Sequence, residues 1–283
     1  MKKLEILPPE QILQPVKTRI SELEYALKSK QAALQHSKSG LVRIVIRKGR
    51  PQFYKRESAA DIQGKYMPRS QDALAHSFIQ NDYDTKTIPA IQEEIKCLKQ
   101  FMEAYSGKCV EKVYNKLSDP RQQIVKPLTL TDSQYAELWL KVEYRKKEIP
   151  LEVPPLFTDN GEQVRSKSEV IIANSLKAAG VPYRYEFPLV MDKNASDPDF
   201  PDYDFCKLHP DFYCLNLHTR KEFAWEHFGM MDDPEYATRA AEKIRLYQEN
   251  GFFPGKNLII TMETTNTPLS SKGLRNLIKE YLL

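Results

Sequence analysis

From Pro9 to about His36 the apolar residues Ile12, Leu13, Val16, Ile20, Leu23, Leu27 and Leu34 recur mostly every third or fourth position, with polar residues between. That spacing predicts a long amphipathic helix, able to act as a coiled-coil arm. Ser39-Gly40 ends it. LVRIVIRKGRPQFYKRE then alternates apolar and basic residues on both sides of Lys48-Gly49-Arg50, which predicts a β-hairpin over 41–57 with one cationic face. Residues 70–148 return to helical spacing in three stretches, DALAHSFIQNDY, IPAIQEEIKCLKQFMEAYSG and DSQYAELWLKVEYRKKE. IPLEVPPLFTDNG holds three prolines and a turn. The pattern therefore predicts a mainly helical domain over 1–148, a Pro-rich linker over 149–160 and a second domain over 161–283.

The second domain reads as α/β. Ser166 to Ala179 is a helix ended by Gly180, YRYEFPLV a strand, and DFYCLNL and KEFAWEHF two strands joined by a short polar turn. Pro234 to Asn250 is a helix closed by Gly251, and NLIITME is a last apolar strand. The expected order is αβββαβ, one sheet with helices packed on it. Within it KEFAWEHFGMMD is anomalous, because Glu226 and His227 interrupt a run otherwise as apolar as a core strand. A buried carboxylate is costly unless a cation meets it.

Charge is unevenly placed. Residues 1–150 hold 27 Lys and Arg against 18 Asp and Glu, and the remainder 15 against 20, within a net charge of +4. A basic half joined to an acidic half fits a polyanion grip beside a cation site, although solvated lysine-rich helix faces would give the same count. Arg43, Arg47, Lys48, Arg50, Lys55 and Arg56 cluster on the hairpin with Phe53 and Tyr54 between them. No apolar run has the length of a membrane span, and MKKLEILPPEQ has no signal-peptide core, so a cytoplasmic, membrane-free protein is expected. The cysteines, Cys97, Cys109, Cys206 and Cys214, form no CxxC pair and suit reduced core thiols.

Three acids fall where core residues belong. Glu169 shares the stripe of Ile172, Ala173, Leu176 and Ala179 on the first helix. Asp211 opens the second strand and Glu226 lies on the third, and an antiparallel pairing of those strands would bring the two acids to one end of the sheet. Carboxylates so gathered repel unless they share a cation or bind protons, and all-oxygen ligation favours magnesium or manganese. Taken singly, Asp211 could be a cap, Glu169 exposed, or Glu226 paired with a lysine or arginine. Lys243 lies on one helical stripe with Tyr236, Ala240 and Tyr247, so it can point towards the sheet. A snorkelling surface lysine would show the same spacing.

RSKSE on a helix, PDF opening a strand, WEHFG on the next and KxxxY on the following helix together resemble the PD-(D/E)xK nuclease superfamily, in its E-H-x-G variant, over roughly residues 160–283. The resemblance implies a restriction-endonuclease-like αβββαβ core. It implies Glu169, Asp211 and Glu226 as ligands of Mg²⁺ or Mn²⁺, joined by the backbone carbonyl of His227, with Lys243 as the catalytic cation. Phe228 stands where the motif's lysine is usual, and Lys243 with Tyr247 matches a helix motif in which similar families place that cation.

The activity implied is metal-assisted hydrolysis of phosphodiester bonds in nucleic acid, DNA being the form expected. Arg165, Lys167, Tyr247 and the hairpin cations would hold the substrate, mainly through phosphates. The alternative is a nuclease fold that binds nucleic acid without cutting it. A third reading is an interaction protein, with the first helix forming a homodimer. DKNASDPDFPDYD has the acids of a calcium loop but not its spacing, and reads as a solvated acidic loop.

Overall fold

The computed structural model describes residues 4–35, 37, 39–145, 147, 155–190 and 207–283. The chain is mixed α/β and divides into two compact units, Glu10–Ser118 and a second made of Met1–Pro9 with Asp119–Leu283.

In the first unit, helix α1 (Leu13–Gln35) pairs with helix α2 (Asp72–Ser106). Leu23 is buried against Ile91 and Ile95, and ion pairs Arg19–Glu94 and Lys30–Asp84, at 2.9 and 2.8 Å, show the helices running antiparallel. Leu23 and Leu27 of the expected stripe thus pack on α2 of the same chain, while Ile12 is exposed. Two helices were expected where α2 runs unbroken for 35 residues through Pro89. Proline forfeits one helical hydrogen bond, and the burial of Ile91 and Ile95 just beyond it offsets the loss.

Between the helices lie β1 (Leu41–Arg47), β2 (Arg50–Arg56) and the short β3 (Lys65–Tyr66), antiparallel in that order. Lys48 and Gly49 both have positive φ, 50° and 74°, as a two-residue hairpin turn requires. One face of this sheet packs Val42 and Phe53 on Ala75 and Phe78 of α2. A short helix, α3 (Glu111–Asn115), closes the unit.

The second unit begins earlier in the chain than expected. Helices α4 (Asp119–Ile124) and α5 (Asp132–Leu140) belong to it. Trp139 of α5 is buried, stacks on Tyr213 and donates its indole N–H to Glu222, while the Arg184 guanidinium lies 3.9 Å over its ring. These contacts set the boundary at Ser118/Asp119 in place of the predicted linker. Part of that linker lies outside the described residues, and its described end forms β4 (Leu156–Phe157), paired with β5 (Gln163–Val164). Residues 4–9 also pack here: the N–H groups of Ile6 and Leu7 donate to the Leu128 carbonyl, and Glu5 pairs with Arg220 at 3.3 Å.

The main sheet has the order β11-β10-β9-β6, from β6 (Tyr183–Tyr185), β9 (Phe212–Leu215), β10 (Glu222–Phe228) and β11 (Leu258–Met262). Only the β10–β11 pair is parallel. Helices α6 (Lys167–Ala178) and α8 (Ser271–Tyr281) cover one face through Ile172, Leu176, Trp225, Ile259 and Leu274. Trp139 and helix α7 (Pro234–Glu249) cover the other, with Tyr213, Ala224, Tyr247 and Leu258. Along the chain these elements run α, β, β, β, α, β, followed by α8. YRYEFPLV, expected as one strand, is two: Glu186 has φ of 50°, which ends β6, and β7 (Leu189–Val190) pairs with β8 (Lys207–Leu208) in a separate ribbon. Cys206 and the acidic loop at 192–204 lie outside the described residues.

Candidate active site

Glu169 owes its place to the start of α6. Ser166 caps the helix by accepting the Glu169 N–H at 3.1 Å, and its own hydroxyl donates back to Glu169 Oε1 at 3.0 Å. Oε2 accepts the Arg165 N–H at 2.9 Å and the Tyr185 hydroxyl at 2.7 Å. The carboxylate therefore sits among orphan donors at the positive end of a helix, which offsets its burial at 8% exposure.

Asp211 and Glu226 meet through sheet register. Trp225 pairs with Phe212, so one step onward Glu226 stands opposite Asp211, on the face that carries Ala224 and Tyr213. The His227 N–H donates to Asp211 Oδ2 at 2.7 Å. Burial, then the charges of Glu226 and Glu169, push the Asp211 carboxyl well above the usual range, against the pull of Lys243. Asp211 thus lies within the fields of both other acids.

A cation from the protein answers the cost of burying Glu226, which is 3% exposed. Lys243 Nζ pairs with its Oε1, and the Tyr247 hydroxyl donates to Oε2 at 2.8 Å. Both come from one stripe of α7, four residues apart, as the helical spacing anticipates. Asp233 caps that helix and Pro234 starts it.

Some expected residues serve differently. Tyr247, expected to touch nucleic acid, is fully buried and holds Glu226 in place. His227 turns its ring to the opposite face, with Nδ1 3.0 Å from Thr261 Oγ1 and Nε2 3.2 Å from Glu263, which also accepts the Ser168 hydroxyl at 2.6 Å. Its main-chain N–H is the group that meets Asp211. Arg165 is paired with Glu186 at 2.8 Å, whereas Lys167 is exposed. Tyr185 and Glu186 went unremarked because a strand pattern of Tyr, Arg, Tyr, Glu names no chemistry until its neighbours are known.

Lys147 was missed as well. Its side chain is exposed overall, yet desolvation followed by the charge of Lys243 holds its ammonium below the ordinary lysine value, with Glu186 and Glu226 pulling the other way. The charges of Lys243, Glu186 and Glu226 thus reach it. The sequence offered only a lysine next to a proline-rich stretch.

The hairpin cations lie in the other unit. Arg43 stacks on Tyr54 at 5.0 Å and donates to the Ile62 carbonyl; Arg47, Lys48 and Arg50 are exposed at the tip. Lys55 points to the opposite face, over Phe78.

Among the described residues, no group of three or more His, Cys, Asp or Glu is already arranged to hold a metal ion. Both oxygens of Glu226 are engaged by Lys243 and Tyr247. The donor set is nonetheless hard oxygen throughout, and burial, with the charge of Glu226 next, is what raises the Asp211 carboxyl. No family model and no solved structure matches the chain. A protein of Methanocaldococcus jannaschii, described as uncharacterized protein MJ1519, is 34% identical over 120 residues, covering 42% of this chain and 9% of that protein. The chain thus spans less than a tenth of the length of the curated relative it matches.

Proposed function

We propose that residues 161–283 are the nuclease domain of a PD-(D/E)xK-type enzyme with a restriction-endonuclease-like core, and that the protein hydrolyses phosphodiester bonds in nucleic acid, DNA being the expected form. One observation carries the reading: Asp211, at the entry to β9, accepts the His227 N–H next to Glu226 on β10 and lies in the fields of Glu226 and Glu169, with Lys243 reaching in from α7. Glu169, Asp211 and Glu226 suit Mg²⁺ or Mn²⁺, and the unfavourable ionisation of Asp211 is what a divalent cation would reverse. When bound, such an ion supplies a water of lowered pKa and positive charge against the phosphate. Lys243 is placed to orient the attacking water once Glu226 is shared with a cation, and Tyr247 keeps the second oxygen of Glu226 from turning away. Lys147 and Arg165 offer positive charge at the same place.

A nuclease fold that binds without cutting is the second reading. It is favoured by Phe228 at the motif's lysine position and by the neutralisation of Glu226 within the protein itself. Incubating the protein with labelled single- and double-stranded DNA and RNA, with Mg²⁺, Mn²⁺ or chelator, separates the two. Cleavage that needs metal and is lost in Asp211→Ala is the expected result. Binding without cleavage by the folded protein would overturn the enzyme reading in favour of the binding module.

A further inference from the structure

Strands β1 to β3 carry Arg43, Arg47, Arg50, Lys55, Arg56 and Lys65, and no acid. Alternation sorts them. In the register of the sheet Arg43 faces Tyr54, Arg47 faces Arg50, and Tyr54 faces Tyr66, so these side chains share one face; Lys55 and Lys65 pair on the other. Helix α2 covers the second face through Val42 and Phe53. The helix contacts shown for this sheet fall on that second face.

That face joins positive charge to aromatic surface. The Arg43 guanidinium lies on Tyr54, whose ring meets Tyr66 edge-on at 5.6 Å, and Tyr66 is 51% exposed. Arg56 is tied to the Ala59 and Asp61 carbonyls, which fixes the loop between β2 and β3. Asp61 in turn accepts the Gly64 N–H at 2.8 Å. Tyr66 therefore rests on Tyr54 after a fixed loop while remaining open to a ligand.

We propose that this face binds single-stranded nucleic acid, with phosphates on Arg43, Arg47 and Arg50 and an unpaired base against Tyr66. Charge complementarity selects a polyanion, and a half-exposed ring among guanidinium groups selects one whose bases are free to stack. A duplex keeps its bases stacked within itself and meets such a face through phosphates alone. As a statement about substrate form the proposal rests on the nuclease reading; as a statement about binding it stands on this sheet.

The test uses the full chain carrying Asp211→Ala, in chelator, with fluorescence anisotropy of labelled oligothymidine, oligouridine and a duplex of equal length over a salt series. Single strands are expected to bind more tightly than the duplex, and the two single strands separate DNA from RNA as the preferred source. Tyr66→Ala should weaken single-strand binding about ten-fold and leave the duplex unchanged, with Tyr66→Phe restoring it. Arg47→Glu with Arg50→Glu should weaken all three probes and lower the single-strand salt slope by about 1.4, the share of two phosphates. Circular dichroism checks that each variant is folded. Equal binding of single strand and duplex with Tyr66→Ala silent, or full-strength binding by the charge-reversed variant, overturns the proposal. Binding of this pattern beside a wild type that never cuts would sink the nuclease reading alone, and cleavage with binding untouched by these substitutions would sink the surface alone.

Discussion

Lys243 Nζ meets the Oε1 of Glu226, a carboxylate left with 3% of its surface exposed. Removing one partner of such a pair strands the other charge away from water. Lys243→Met is therefore expected to lower the free energy of unfolding by about 3 kcal/mol. Glu226→Gln in the same chain should recover most of that loss, because an amide carries no charge to strand. Urea denaturation of the single and double variants measures both. A cost for Lys243→Met below about 1 kcal/mol would show that the pair behaves like a surface ion pair.

Lys147 tests the substrate side of the same place. With Lys243 and Arg165 nearby and its ammonium held below the usual value, it is available to a phosphate. Lys147→Ala is expected to raise KM for nucleic acid about ten-fold, the worth of one charge-assisted contact, while kcat and the urea midpoint stay close to wild type. A fall in kcat with unchanged KM would instead assign Lys147 to the chemical step.

Much of this geometry was legible before any coordinates. The helical stripe placed Glu169 and Lys243 towards the sheet, and a short reversal between two strands brought Asp211 to Glu226, because period and register are local properties. What stayed hidden depends on long-range contacts. Nothing in DSQYAELWLKV says that Trp139 stacks on Tyr213 and not on its own neighbours, so the boundary was set too late. Pro89 suggested a break that α2 does not make, since the burial of Ile91 and Ile95 overrides a local preference. Tyr247 matched a helix motif, yet only the packed helix shows it beneath Glu226.

In the first unit the pH dependence should centre on Asp84. Its carboxyl lies below the usual value, chiefly through the hydrogen bond from Lys30, with burial opposing and Gln80 adding at 2.8 Å. A depressed carboxyl contributes stability above its unfolded value of about 3.9, and that stability is lost as pH falls through the folded value below it. The stability difference between wild type and Asp84→Asn should therefore be largest at neutral pH and shrink progressively as pH falls below about 4, vanishing only below the depressed folded value. Far-UV circular dichroism of urea melts across that range checks it. Both tryptophans, Trp139 and Trp225, lie in the other unit, so tryptophan fluorescence should follow that unit and not the Asp84 contribution.

Trp139 ties α5 into the core of the second unit. Trp139→Ala is expected to cost about 3–5 kcal/mol, with Trp139→Phe losing much less. A fragment beginning at 149 should fail to fold cooperatively because it bares Tyr213 and strips Arg184 of the ring it stacks on. Thermal melts and proteolysis of that fragment decide the matter, and a sharp transition from it would show that α5 is dispensable.

Residues 4–9 dock on Leu128 and Arg220, although the whole of Glu10–Ser118 separates them from the rest of their unit. Synthesis makes that edge well before its partners Leu128 and Arg220. Closing so long an unstructured loop would cost about 4 kcal/mol of chain entropy. Once α1 and α2 have paired, the intervening segment is no longer a random loop. Pairing of α1 with α2 therefore shortens the free chain between residues 4–9 and their partners before β11 is made.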